Sequence, residues 1–154
     1  MGYVLAIDFG TKRVGAAIGD PASGFAFPLE TYHRKNAVLD ESHYRKLIAE
    51  HDVERIVIGL PLHTSGRESE ISRLAREWGS WLGKITQAPI IFRDERYTSS
   101  EAESILLSAK LQKAKRDDKR DRLAAQILLQ NYFEDGAPLE SSRATPLLDA
   151  QDDK

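Results

Sequence analysis

Three acidic residues occur where an acidic side chain needs a reason. Asp8 interrupts the apolar run Tyr3-Val4-Leu5-Ala6-Ile7-Asp8-Phe9, where an unpartnered carboxylate is costly to bury. It needs a cation, a basic partner or hydrogen-bond donors, and the amides of the following Gly10-Thr11 turn would also serve. Glu95 lies in Arg93-Asp94-Glu95-Arg96, just after a short apolar segment. The carboxyl ends of strands are where sites gather in open α/β sheets. A surface salt bridge with Arg93 or Arg96 is the alternative, and Asp94 competes for any role given to Glu95. Asp121 shares a helical face with Ala124, Ala125, Leu128, Leu129 and Tyr132, so its carboxylate falls on the packing stripe. An acidic residue early in a helix also suits the helix dipole. Three carboxylates from a first strand, a later strand end and a last helix could converge on one sheet edge. Hard oxygen ligands of this type suit Mg²⁺ or Mn²⁺. Two such ions about 3.5–4 Å apart can activate a water and stabilise the leaving oxygen in phosphodiester cleavage.

The elements that must position these residues alternate along the chain. Residues 3–9 read as a central strand, apolar on both faces until Asp8. Gly10-Thr11-Lys12-Arg13 is a turn, residues 14–18 a second strand and residues 25–32 a third. Connections this short cannot make parallel crossovers, so these three strands form an antiparallel meander. Helical spacing then appears at Tyr44, Leu47 and Ile48, predicting a helix over 40–51, followed by a buried strand over 55–60. A helix over 68–84 turns Ile71, Leu74, Trp78 and Trp81 or Leu82 inward, and residues 89–92 form another strand. Thr98-Ser99-Ser100-Glu101 has the pattern of a capping box before a further helix, and a last helix runs from about Lys119 to Phe133. Helix-strand alternation after residue 40 implies right-handed crossovers and parallel pairing for the later strands. The expectation is an α/β fold with a mixed five-stranded sheet, strands 1–3 antiparallel and the later ones parallel, flanked by helices. Residues 1–136 form one domain; 137–154 are polar, with two prolines and no period, and read as a disordered tail.

Bulk properties narrow the classes. A chain of 154 residues can bury a full core as one domain. Cysteine is absent, which excludes disulfides, thiolate metal sites and a cysteine nucleophile. No apolar run approaches a membrane span, and no basic segment followed by an apolar one opens the chain, so a cytoplasmic location is expected. Net charge is −2, without overall bias towards nucleic acid. Between Lys110 and Arg122, however, seven basic side chains stand against three acidic ones. Such a strip is compatible with phosphate contacts, or is a solvated charged loop.

Four segments together carry a resemblance: Leu5-Ala6-Ile7-Asp8-Phe9-Gly10-Thr11-Lys12-Arg13-Val14-Gly15, Ile58-Gly59-Leu60-Pro61-Leu62, Asp94-Glu95-Arg96-Tyr97-Thr98 and Asp121-Arg122-Leu123-Ala124-Ala125. In this order they resemble the YqgF family, bacterial proteins described as Holliday junction resolvases and as pre-16S rRNA nucleases, over roughly residues 3 to 135. The resemblance implies a ribonuclease H-like fold and a metal-dependent nuclease. It makes Asp8, Glu95 and Asp121 catalytic ligands of Mg²⁺ or Mn²⁺, with hydrolysis by a water that the metal activates. Lys12, Arg13 and Arg96 would hold substrate phosphate, or are ordinary surface residues. One departure follows Leu62: the family commonly continues Asn-Met-Asp-Gly, whereas this chain has His63-Thr64-Ser65-Gly66. The retained glycine suggests the same loop shape with different side chains.

Two rival readings remain. Asp8-Phe9-Gly10-Thr11 also looks like the phosphate loop of actin-class ATPases, but those need two such lobes to enclose a nucleotide, and 154 residues supply one. A non-catalytic RNA-binding module would need only the basic strip, and has no use for three converging negative charges. Between nuclease substrates, RNA is favoured over a DNA junction. Junction cutting is usually the work of symmetric dimers, and no long exposed apolar stripe for a dimer interface stands out; the oligomeric state itself is open.

Overall fold

The computed structural model describes residues 2–61, 69–94 and 118–141. Within them five strands form one sheet in the order β3-β2-β1-β4-β5. β1 (Tyr3–Asp8), β2 (Arg13–Asp20) and β3 (Phe25–His33) are an antiparallel meander, whereas β4 (Val53–Leu60) and β5 (Ile90–Asp94) run parallel to β1. The expected mixed sheet is therefore present. It carries α1 (Ala37–Glu50) between β3 and β4, α2 (Glu70–Thr86) between β4 and β5, and α3 (Asp118–Glu134) after them.

The sheet is buried from both sides, which is why its central strands are apolar throughout. On one face Leu5, Ile7, Ile56 and Ile58 pack with Tyr44 and Leu47 of α1 and with Ala75, Trp78 and Leu82 of α2. On the other, Val4, Ala6, Ala17 and Val57 pack with Ala125, Leu128, Leu129 and Tyr132 of α3. Alternate residues of β1 thus serve opposite layers.

The helix ends have local causes. Asn36 caps α1 by accepting from the amide of Leu39 at 2.9 Å. Ser69 and Ser72 cap α2 reciprocally, with bonds of 3.1 and 2.7 Å. Several expected boundaries shift. α1 begins at Ala37 and carries Asp40 inside it, 5% exposed. The buried stripe of α2 is Ser72, Ala75, Trp78, Gly79 and Leu82, with Ile71 and Leu74 only half-buried. The reason is close approach: a Cβ on Gly79 would stand 2.8 Å from Ile58 and from the Phe92 ring, so the helix meets the sheet along its small residues. β5 extends to Asp94. The helix expected after Thr98 lies outside the described residues, as do residues 110–117 of the basic strip. Residues beyond 136 also join the fold: Tyr132 donates its hydroxyl to the Pro138 carbonyl at 2.7 Å, and the Ser141 hydroxyl accepts from the Phe92 amide at 2.9 Å.

Candidate functional site

Asp8 is the last residue of β1, and strand alternation turns it to the side of Val4 and Ala6, towards α3. Its partner across the antiparallel pair is Gly15 of β2. No side chain fits at Gly15, because a Cβ there would lie 2.1 Å from the backbone oxygen of Asp121. The first turn of α3 therefore rests directly on β2, beside the end of β1. That contact delivers Asp121 to Asp8, and both line one cleft of about 580 Å³ together with Gly10, Thr11, Lys12 and Arg13.

Side chains of β3 hold the start of α3. The Thr31 hydroxyl donates to the Asp118 carbonyl at 2.5 Å, and His33 Nε2 lies 3.0 Å from both carboxylate oxygens of Asp118. The hydrogen bond from His33, supported by the charges of His33, Arg13 and Arg122, holds the Asp118 carboxyl below the ordinary aspartate value, against a desolvation effect that opposes it. Within the cleft, Arg13 Nε donates to Asp121 Oδ2 at 2.6 Å, with the two side chains 32% and 17% exposed. Lys12 is exposed on the rim.

The turn after Asp8 has a keeper that the sequence did not reveal. Arg34 donates from Nη1 to the carbonyls of Gly10 (3.3 Å) and Thr11 (3.1 Å), and its amide donates to the Lys12 carbonyl at 2.9 Å. Its guanidinium also lies 5.3 Å from the centre of the Phe9 ring. Asp40 in turn accepts from the Tyr32 hydroxyl at 2.6 Å and the Lys35 amide at 3.0 Å, which steadies the segment carrying Arg34. Burial and the Asp40 bond push the Tyr32 phenol up to about 12. One signal was available: Asp40 precedes Tyr44 and Leu47 by four and seven positions, on the same buried stripe.

Of the sequence-derived site residues, Asp8, Lys12, Arg13 and Asp121 come together. Glu95 and Arg96 lie outside the described residues, as do His63 and Gly66. Asp94, the competitor of Glu95, pairs with Leu60 and is 1% exposed. Alternation places it with Ile90 and Phe92 on the α2 face, opposite to the face of Asp8 and Asp121.

The donor set fits a hard cation in kind. Two carboxylates share an open cleft, and the bare backbone of Gly15 lets their elements close together. Among the described residues no group of three or more His, Cys, Asp or Glu side chains stands close enough to hold a metal; Glu95 is not among those residues. No helix of the described residues is long and apolar enough to cross a membrane.

Comparison with known proteins adds relatives to this geometry. The RuvX family, described as Holliday junction resolvase, matches residues 2–135. A Koribacter versatilis protein named "Putative pre-16S rRNA nuclease" is 41% identical over 133 residues, covering 86% of this chain and 87% of that protein. A Dechloromonas aromatica protein of the same name is 40% identical over 139 residues, covering 87% and 92%. Among solved structures, Thermus thermophilus RuvC in complex with a Holliday junction substrate superposes with a TM-score of 0.55 at 10% identity, covering 92% of this chain and 99% of that one. That likeness concerns the fold.

Proposed function

The chain belongs to the RuvX (YqgF) family, and from that premise we propose that it is a metal-dependent endonuclease that trims the 5′ leader of pre-16S ribosomal RNA. Phosphodiester hydrolysis is the family's chemistry; the RNA substrate follows the names of the relatives at about 40% identity. The observation that carries the reading is the meeting of Asp8 and Asp121 in one cleft over Gly15, since a binder of polyanions gains nothing by facing two carboxylates towards its ligand. This reading puts the protein's work in the cytoplasm, with nucleic acid as its partner.

Asp8, Asp121 and Glu95 are the proposed ligands of Mg²⁺ or Mn²⁺. When bound, such a cation supplies Lewis-acid stabilisation of the phosphoryl oxygens and lowers the pKa of a coordinated water. The protein's own groups do the positioning. Lys12 and Arg13, with Arg96 proposed beside them, attract the phosphates that flank the scissile bond. Arg34 fixes the turn that carries Lys12 by binding its carbonyls. Arg13 also balances the charge of Asp121 before substrate arrives.

The second reading, cutting of four-way DNA junctions, is favoured by the family's description. One experiment tests both. Purified protein is incubated with a precursor 16S 5′ leader fragment and with a four-way DNA junction, each with Mg²⁺ or Mn²⁺, wild type beside Asp8→Asn. The expected outcome is metal-dependent cleavage of the RNA that disappears in the variant. Cleavage of the junction alone would move the substrate to DNA, and equal cleavage by Asp8→Asn would sink the carboxylate site.

A further inference from the structure

Across the Gly10–Lys12 turn from Asp8, on the side of the sheet covered by α1 and α2, lies a second cleft of about 640 Å³. Its size is within the range of small-ligand pockets, roughly 300–1,000 Å³. Thr11 and Lys12 line both clefts, so the turn is a shared wall, and Arg34 ties that wall down from the second cleft.

The lining is divided by chemistry. One part is cationic, with Lys12 and Lys35 exposed and Arg34 behind them. The other part is aromatic: Trp81 is half-buried, with its ring centre 5.9 Å from that of the buried Trp78. Asp40 is the carboxylate of the lining, and it is buried against the Tyr32 hydroxyl and the Lys35 amide. His33 is engaged by Asp118. The cleft therefore offers point charges for phosphates next to a flat apolar surface. That combination suits single-stranded nucleic acid, whose bases can leave their stack and lie on an aromatic ring while the backbone tracks basic side chains. A duplex keeps its bases stacked inside and meets the same surface only with its phosphates.

We propose that the cleft bounded by Lys12, Lys35 and Trp81 binds the unpaired stretch of an RNA strand that continues, over the Gly10–Lys12 wall, from the phosphate that Lys12 and Arg13 attract beside Asp8 and Asp121. The inference rests on the nuclease reading for where the strand comes from, and it names what the enzyme selects: an unpaired RNA strand beside the cleavage point. A rigid helical arm supplies no base for Trp81.

The test is fluorescence anisotropy without divalent metal, using a labelled unstructured RNA of about ten nucleotides and a DNA duplex of equal length. The full chain is compared with Trp81→Ala, Trp81→Phe, Lys35→Ala and Asp8→Asn. Trp81→Ala should weaken RNA binding about tenfold and Trp81→Phe by clearly less, with duplex binding within about twofold in both. Lys35→Ala should reduce the slope of log K against log salt by about 0.7, the loss of one phosphate contact on a single strand. Trp81 packs on Trp78, so its alanine variant is checked by melting curve; Lys35 is exposed and tests the cleft independently of folding. RNA binding unchanged in both Trp81→Ala and Lys35→Ala, or RNA and duplex weakened in parallel, would overturn the proposal. Cleavage lost in Asp8→Asn alongside such unchanged binding would sink the cleft and leave the nuclease. RNA binding sensitive to Trp81 and Lys35, with no cleavage by wild type, would keep the cleft and sink the nuclease.

Discussion

As a proposed metal ligand, Asp121 would be drawn to two partners. Its carboxylate already accepts from Arg13 at 2.6 Å, so a divalent cation using the same oxygens competes with a guanidinium. The pair is partly exposed and contributes at most about 1 kcal/mol. Arg13→Gln should therefore tighten Mn²⁺ binding by roughly two- to fivefold in titration calorimetry, while slowing cleavage through the lost phosphate contact. Weaker Mn²⁺ binding in the variant would mean that Arg13 supports the metal site instead of opposing it. Asp118 gives a second prediction at this scale. Its folded pKa is depressed, first by the His33 hydrogen bond, so its contribution to stability is complete above the ordinary aspartate value and is lost as pH falls through the lower folded value. The gap in melting temperature between wild type and Asp118→Asn should be widest above about pH 4 and close on further acidification. A gap that persists in strong acid would show that the carboxylate charge is irrelevant to anchoring α3.

The docking of α3 on β2 is the joint that makes the site, and Gly15 is its seat. Gly15→Ala sets a Cβ against the Asp121 backbone oxygen, where no flexible side chain can give way. A loss of about 1–3 kcal/mol in thermal or denaturant unfolding is expected. At temperatures where the variant is fully folded, cleavage should still fall, because Asp121 is displaced; full activity would separate the joint from the chemistry. Much of this joint could be read in advance. The period of Ala125, Leu128, Leu129 and Tyr132 identifies the buried face of α3, and counting back along it marks Asp121 as half-buried before any fold is known. The end of β5 could not be read that way. Arg93 and Asp94 look like a polar turn, yet Arg93 pairs with Asp135, approaches the Tyr132 ring at 5.9 Å and is held below the usual arginine range by burial. All of those partners come from the far end of the chain. The role of Asp40 is hidden for a similar reason: its stripe marks it as buried, but its bond depends on Tyr32, in a strand that periodicity alone cannot bring to it.

At the scale of the molecule, the fold does not stop where the last helix does. The bonds from Tyr132 to Pro138 and from Phe92 to Ser141 tie the following segment to α3 and β5. A chain ended after Gly136 should melt lower than one ended after Ser141, by about 1–3 kcal/mol for the two bonds together. Equal stability would place the boundary at residue 136, where the polar, proline-bearing sequence suggested it. The outer surface of the sheet also differs from the sequence reading. Phe25 and Phe27 of the edge strand β3 are 63% and 60% exposed, because α1 and α2 cover the face of β1, β4 and β5 but leave that end of β3 bare. The preference for RNA therefore rests on the relatives' names and not on a missing apolar surface.

The bond between Arg13 and Asp121 spans 108 residues, and this has a consequence in time. A ribosome releases Asp8 and the meander before it releases the helix bearing Asp121. Until then Gly15 has nothing resting on it and the cleft lacks a wall. On the proposed reading the two carboxylates share a cleft only once α3 has been made and has docked, so an emerging chain that still lacks α3 would be harmless to the RNA of the machine that is making it.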